Sequence, residues 1–382
     1  MMRKHFTLLA AVPALMLGGC EIGTKVVEQQ GPNGVAIADI KHKATMKVAA
    51  EVPAPPYELT PDMREGDRAK DVYENVQLLG DVSVDEFNYI MASITEWIAP
   101  ADQYPETGGC NYCHNPENMA SDEVYTKVVA RKMLQMTRNI NANWTPHFNN
   151  NYGQGSEGAG VTCWTCHRGN PVPANNWAAA GPGKKLGQNS PLIQTAYASL
   201  PYDSFSAYLA GKGPIRVIGK SAYPNQPSDA SIVSTETTYG LMMHMSQGLG
   251  VNCTFCHNSQ NFGKWDDSRA QRVNAWYGIR MVRDINNNYI TALGDTWPAN
   301  GEGPYGNRRG PEGDPLKVNC ATCHNGINRP MGGAKMLKDY PALKAPHGMA
   351  IAAAAPAAEA MEEAETMEAT PVAAVEAEKP AA

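Results

Sequence analysis

Apolar positions recur at three- and four-residue intervals over four stretches, 84–98, 124–140, 236–249 and 268–285, and that spacing predicts four amphipathic helices. Pro or Gly stands close to several of the predicted ends, where a helix is expected to stop. Between these stretches the periodicity disappears, and the connections are long and rich in Asn, Gly and Pro. Ordering such loops carries a large entropic cost, so something bulky is expected to fill the interior. An irregular segment is expected from 21 to about 62, with a few short strands around 215–218.

The chain ends carry two further patterns. Arg3 and Lys4 precede an apolar run over 6–17, followed by Gly18, Gly19 and Cys20; this is the layout of a secretory signal with a lipoprotein-type cysteine at the cut. A bilayer span needs about 20 apolar residues, so the run is too short to cross. Residues 1–19 are expected to be removed, leaving acyl chains on Cys20 to hold the body at a membrane surface. The Ala/Glu/Pro tail beyond 349 reads as disordered.

A formal net charge of -6, from 38 acidic and 32 basic residues, argues against a nucleic-acid partner and suits a basic protein. The cysteines decide the chemistry. Eight of the nine stand in four copies of Cys-x-x-Cys-His: Cys110, Cys113 and His114; Cys163, Cys166 and His167; Cys253, Cys256 and His257; Cys320, Cys323 and His324. This is the attachment signature of c-type haem, with two thiols bonded to the porphyrin and the adjacent histidine on the iron. Disulfides or thiol-bound zinc would leave unexplained why every pair is closed by a histidine. Four covalent haem c groups are therefore expected, and Cys20 is the ninth cysteine.

The four motifs alternate. The first and third read Cys-x-(Tyr/Phe)-Cys-His-Asn, and the second and fourth read Cys-x-Thr-Cys-His-x-Gly. Between them, the stretch 136–144 lines up with 281–289, pairing Met136 with Met281 and Arg138 with Arg283. A duplicated two-haem unit is expected: a mainly α fold of two pseudo-symmetric halves at 80–172 and 230–343, joined by a connection at 173–229. A segment 20–79 precedes them and the tail 344–382 follows.

An electron-transfer haem usually has a second axial ligand, and methionine raises its potential relative to histidine. The predicted helices offer Met91, then Met133 and Met136, then Met242, Met243 and Met245. In the aligned repeat Met133 falls opposite Gly278, so a fourth haem following the same plan lacks its methionine. Outside the motifs and the signal the histidines are His42, His147, His244 and His347, and His147, just after the Met133 helix, is the best candidate to cross to the fourth haem. Arg138 and Arg283 are read either as partners of haem propionates or as exposed helix arginines.

From 72 to 343 the chain resembles the tetrahaem cytochrome subunit of purple-bacterial photosynthetic reaction centres. The likeness is specific in Val-Val-Ala-Arg-Lys-Met-Leu-Gln-Met-Thr-Arg at 128–138, Leu-Gly-Val-Asn-Cys-Thr-Phe-Cys-His at 249–257 and Met-Leu-Lys-Asp-Tyr-Pro at 336–341. It implies Met91 with His114, Met133 with His167, Met242 with His257, and His147 with His324, with Met245 the rival on the Met242 face. Two features depart from the family pattern: a longer link over 98–109 and the acidic tail.

Filled coordination on every iron leaves no position for a substrate, so the chain is expected to conduct electrons and not to act as an enzyme. The resemblance implies donors such as a small cytochrome c or a high-potential iron-sulfur protein in the periplasm. It implies the reaction-centre core subunits, with their photo-oxidised bacteriochlorophyll pair, as acceptor. The alternative is a periplasmic multihaem lipoprotein carrier of a respiratory chain, for which spare histidines would be expected. A multihaem reductase would need one iron with a vacant or lysine ligand.

Overall fold

The computed structural model describes residues 24–29, 38–49, 51–148, 160–179, 203–217, 231–297 and 308–344. The signal, Cys20, part of the connection 173–229 and the tail from 345 onward lie outside them. The fold is mainly helical. An antiparallel hairpin, β1 (Lys25–Gln29) and β2 (Ala38–His42), pairs Lys25 with His42 and Gln29 with Ala38. The helix α1 (Lys43–Ala49) follows without a break. Regular structure at 25–29 and 38–49 corrects that part of the expected irregular segment over 21–62, while 51–61 carry neither helix nor strand; Val26 and Val27 stand side by side and give no alternation to read. The expectation of strand at 215–218 is also corrected. Residues 215–217 form no strand, residue 218 is outside the described residues, and the Ile215 carbonyl accepts from the Thr238 hydroxyl at 2.8 Å.

After a single turn, α2 (Ala69–Val72), comes α3 (Val84–Ile98), with the limits the periodicity predicts. The Ser83 hydroxyl caps it by accepting from the Glu86 N–H at 3.1 Å. Its end falls at Ala99, just before Pro100, where helical backbone is disfavoured. Tyr89, Ile90, Ser93 and Trp97 form its buried face. The partner of that face comes from the far end of the chain: Tyr340 lies 4.6 Å from the Trp97 ring and 5.1 Å from Tyr89, and its hydroxyl accepts from Ser93 at 3.0 Å. Met331, Met336, Leu337 and Leu343 fill the same core.

The next helix, α4 (Tyr125–Asn143), has no side-chain cap at its start. The Lys127 ammonium ties the preceding loop down instead, donating to the carbonyls of Met119, Ala120 and Ser121 at 2.9, 2.8 and 2.8 Å. Beside it Asp122 accepts from Arg131 at 2.7 Å and Asn75 at 2.9 Å, and the Arg131 bond holds its carboxyl down to about 2. A depressed carboxylate stabilises the fold fully above its ordinary value of 3.8, and that contribution fades as the pH falls toward 2. Asp122→Asn is therefore expected to lower the thermal midpoint at pH 7 and leave it unchanged near pH 2. The carboxylate is half-exposed, so the loss is modest. Thermal scans at the two pH values check this; an equal loss at both would sink it.

A short turn α5 (Thr145–Phe148) and the motif helix α6 (Cys163–His167) complete the first half. The second half contains α7 (Ile232–Leu249), α8 (Gln271–Asp284) and the motif helix α9 (Cys320–His324). Ser231 and Ser234 cap α7 reciprocally, and Gly250, at φ +62°, supplies the left-handed residue that ends it. Helical winding does not stop at 285 as expected: it widens into a π turn, Ile285–Ile290, and then a tight turn, Thr291–Leu293. Asn286 is fully buried there, donating to the Leu209 and Val318 carbonyls at 2.8 and 3.0 Å and accepting from the Val318 N–H at 2.9 Å.

The same arrangement surrounds Asn141, which donates to the Val161 and Leu343 carbonyls, both at 2.9 Å, and accepts from the Val161 N–H at 2.7 Å. Arg138 Nε donates to the Ala342 carbonyl at 2.9 Å, and Arg283 Nε to the Tyr208 carbonyl at 2.6 Å. The turn Ser206–Ala210 thus serves α8 as Pro341–Leu343 serves α4. Phe205, Leu209, Leu241, Ile279 and Val282 make a second core around α7 and α8. Along the seam, Ile140 and Trp144 pack with Met281 and Ile285, and Asp284 accepts from Asn139 at 2.7 Å and Trp144 at 3.0 Å.

Candidate functional site

The four motifs adopt two local structures, divided as their sequences divide. The first and third form single tight turns, Gly109–Tyr112 and Cys253–Phe255, and their leading cysteines, Cys110 and Cys253, are exposed. The second and fourth form α6 and α9. Their threonines explain this: the Thr165 hydroxyl accepts from the Thr162 N–H at 3.0 Å and the Thr322 hydroxyl from the Asn319 N–H at 2.9 Å, capping each short helix. Arg168 and Asn325, both at φ +49°, turn the chain left-handed after the motif histidine. Gly169 and Gly326 follow at φ +78° and +81°, a conformation that favours glycine and accounts for the conspicuous His-x-Gly. Their N–H groups donate to the carbonyls of Trp97 in α3 and Gly248 in α7, at 2.9 and 2.8 Å. Each motif helix is thereby tied to the helix bearing Met91 or Met242.

Every motif histidine points Nδ1 at a backbone carbonyl. His114 meets Met119 and His257 meets Phe262, both at 2.9 Å; His167 meets Asn170 at 2.8 Å and His324 meets Ile327 at 3.0 Å. A carbonyl can only accept, so Nδ1 carries the proton and Nε2 keeps its lone pair, the form a metal takes. Burial reinforces this by disfavouring the imidazolium, holding His167 and His324 down to about 4 and lowering His257. Burial likewise pushes the Cys163 and Cys320 thiols up to about 12 and those of Cys113 and Cys256 up to about 11. The inner cysteines of the second and fourth motifs meet: Cys166 Sγ lies 2.8 Å from Cys323 Sγ.

His147, on α5, reaches the fourth motif. Its ring stands 6.0 Å from that of His324 at an interplanar angle of 85°, and its Nδ1 is 2.9 Å from the Asn274 carbonyl on α8. His147 and His324 are the residues that would hold one iron between them. On α8 a Cβ at Gly278 would lie 2.7 Å from His147, so the imidazole occupies the space of a side chain there. Arg138 is buried, and its Nη2 has no hydrogen-bond partner among the described residues, as suits a residue awaiting an anion such as a propionate. The residues present fit haem. The reading of Arg138 as an exposed helix arginine does not hold.

Among the methionines, Met91 packs beside the Trp97 core and Met133 lies along the seam near Ile140 and Trp144. Met242 is half-buried against the second core, in which the rival Met245 is buried with Leu241 and Ile279. His244, also fully buried, packs its ring 4.5 Å from Phe205. The polar anchors Asn141 and Asn286 and the space at Gly278 escaped a reading based on motifs alone. The signal for the last was present in the repeat, where a glycine stands opposite Met133.

A family model described as the photosynthetic reaction centre cytochrome C subunit matches residues 21–344. The chain belongs to this family. It is 44% identical over 354 residues to the photosynthetic reaction center cytochrome c subunit of Rubrivivax gelatinosus, covering 91% of each chain. The protein of the same description from Thermochromatium tepidum is 43% identical over 358 residues, covering 91% of this chain and 83% of that one. For Roseobacter denitrificans the identity is 38% over 336 residues, with 82% and 84% covered. Family membership makes the chain an electron-transfer subunit and not an enzyme, with covalent haem c as cofactor and a photosynthetic membrane as its setting. Among the described residues no helix is long and apolar enough to cross a membrane.

Proposed function

We propose that the chain carries electrons from soluble periplasmic donors to the photo-oxidised bacteriochlorophyll pair of a reaction-centre core, using four haem c groups. When bound, haem supplies a one-electron iron couple whose potential follows its axial ligands. Cys110 with Cys113, Cys163 with Cys166, Cys253 with Cys256, and Cys320 with Cys323 hold the four macrocycles by thioether bonds. Met91 and His114, Met133 and His167, Met242 and His257, and His147 and His324 hold the four irons. The observation carrying this reading is the perpendicular His147–His324 pair at 6.0 Å, with each Nδ1 engaged by a backbone carbonyl. Two adjacent neutral imidazoles from opposite halves, each with Nδ1 already occupied, suit the ligation of one iron.

The two halves are read as a duplicated two-haem unit. Supporting this are the matched anchors Asn141 and Asn286, the matched bonds of Arg138 and Arg283, and the alternating local structures of the motifs. Equivalent residues also meet each other: Asn139 with Asp284, and Cys166 with Cys323. The second contact supports a reading in which the second and fourth haems are neighbours, and the leading cysteines of the first and third motifs, Cys110 and Cys253, are exposed. Glu117, Asp122 and Glu123 follow the first motif on the surface beside the exposed Met119, chemistry that favours a basic donor such as a small cytochrome c. A high-potential iron-sulfur protein is the other donor, and lipid on Cys20 anchors the subunit at the periplasmic face.

The test is intact-mass measurement of the protein purified from photosynthetic membranes, followed by flash excitation of the complex. Four added haems and haem oxidation after a flash are expected. Fewer than four would remove the assigned ligand pairs, and no flash response in an intact complex would remove the reaction-centre role.

A further inference from the structure

Glycine 278 lies inside α8, where a residue without a side chain weakens a helix and needs a reason. The reason sits one turn away. Asn274 and Gly278 are four residues apart on one face, and the Asn274 carbonyl, which in a helix accepts from the Gly278 N–H, also accepts from His147 Nδ1 at 2.9 Å. The imidazole bonded to that carbonyl lies over residue 278. A Cβ at Gly278 would come within 2.7 Å of His147 Cε1 and 3.1 Å of Nδ1. Nor is the ring free to swing aside, being held by the bond to Asn274 and flanked by Phe148, 5.3 Å away. In the first half the aligned position is Met133, one of the assigned iron ligands.

We propose that Gly278 selects histidine over methionine as the second ligand of the fourth haem. Lacking a side chain, it lets His147 cross from the other half, lean on the backbone of α8 and fix its tautomer through the Asn274 carbonyl. Gly278 has no side chain with which to ligate and acts through His147, so it is a positioning residue. The inference rests on the His147–His324 ligation proposed above, and it adds that one missing side chain sets the odd haem apart from the other three.

The experiment uses the full chain with its haems. Gly278→Ala is expected to shift the midpoint potential of one haem out of four and to weaken the electron paramagnetic resonance signature of bis-histidine iron. The same alanine in a His147→Gly background is expected to lower the thermal midpoint less than it does in the native chain, because the ring it strikes is gone. Unchanged potentials and an unchanged bis-histidine signal in Gly278→Ala would overturn the proposal. So would an equal thermal penalty in both backgrounds, or failure of both alanine variants to accumulate while His147→Gly alone does; either result would mean that packing of α8 alone requires the glycine. Absence of any bis-histidine signal from the native protein would instead remove the ligation reading beneath it.

Discussion

Replacing His147 with methionine is expected to raise the midpoint potential of one haem, on the order of 0.1 V, a fraction of the roughly 0.8 V range that axial ligands command. A thioether sulfur is a poorer donor to ferric iron than imidazole, so the reduced state gains relative to the oxidised one. His147 offers a sharp test because its ring faces His324 at 6.0 Å and its Nδ1 is already committed to Asn274. Potentiometric titration of the haem absorbance should show three unchanged midpoints and one displaced upward. A small shift spread over all four would mean that His147 acts only by packing, and no shift at all would remove it from the ligand set.

Trp97→Ala is expected to destabilise the holoprotein by about 3–5 kcal/mol, the range found for truncating a large aromatic in a core. The indole is almost wholly enclosed, edge-on to Tyr340 at 4.6 Å. Removing it leaves Tyr89 and Tyr340 around a void and loosens the stretch of α3 whose carbonyl receives the Gly169 N–H. That bond secures the second motif, so the loss should appear both in denaturant midpoint and as easier displacement of the native iron ligand by cyanide. A change below about 1 kcal/mol would show that the cavity collapses without consequence.

How far the chain can be read depends on whether the controlling interaction is local. The limits of α3 were legible because Ser83 and Pro100 are local signals, and the motifs because five adjacent residues carry the whole signature. The matched glycines after His167 and His324 were visible, although their left-handed backbone was not. Where the control is distant, periodicity is silent. The helix from Gln271 overruns into a π turn around Asn286, whose partners are Leu209 and Val318. Nothing in the apolar spacing says that Tyr340 belongs with Trp97. The nearness of His147 to the fourth motif was within reach because histidines are few and the repeat exposed a missing methionine; the space at Gly278 needed the ring of His147 in view.

The Tyr340–Ser93 bond joins residues 247 positions apart. The core of the earliest long helix is therefore completed only once Tyr340 has been made, and until then its apolar face rests on residues such as Tyr57, Leu79, Val82 and Leu134. Contacts so distant in sequence make for slow closure. The first two motifs are until then housed in a half-open shell, and residues 331–343 act as the latch that shuts it.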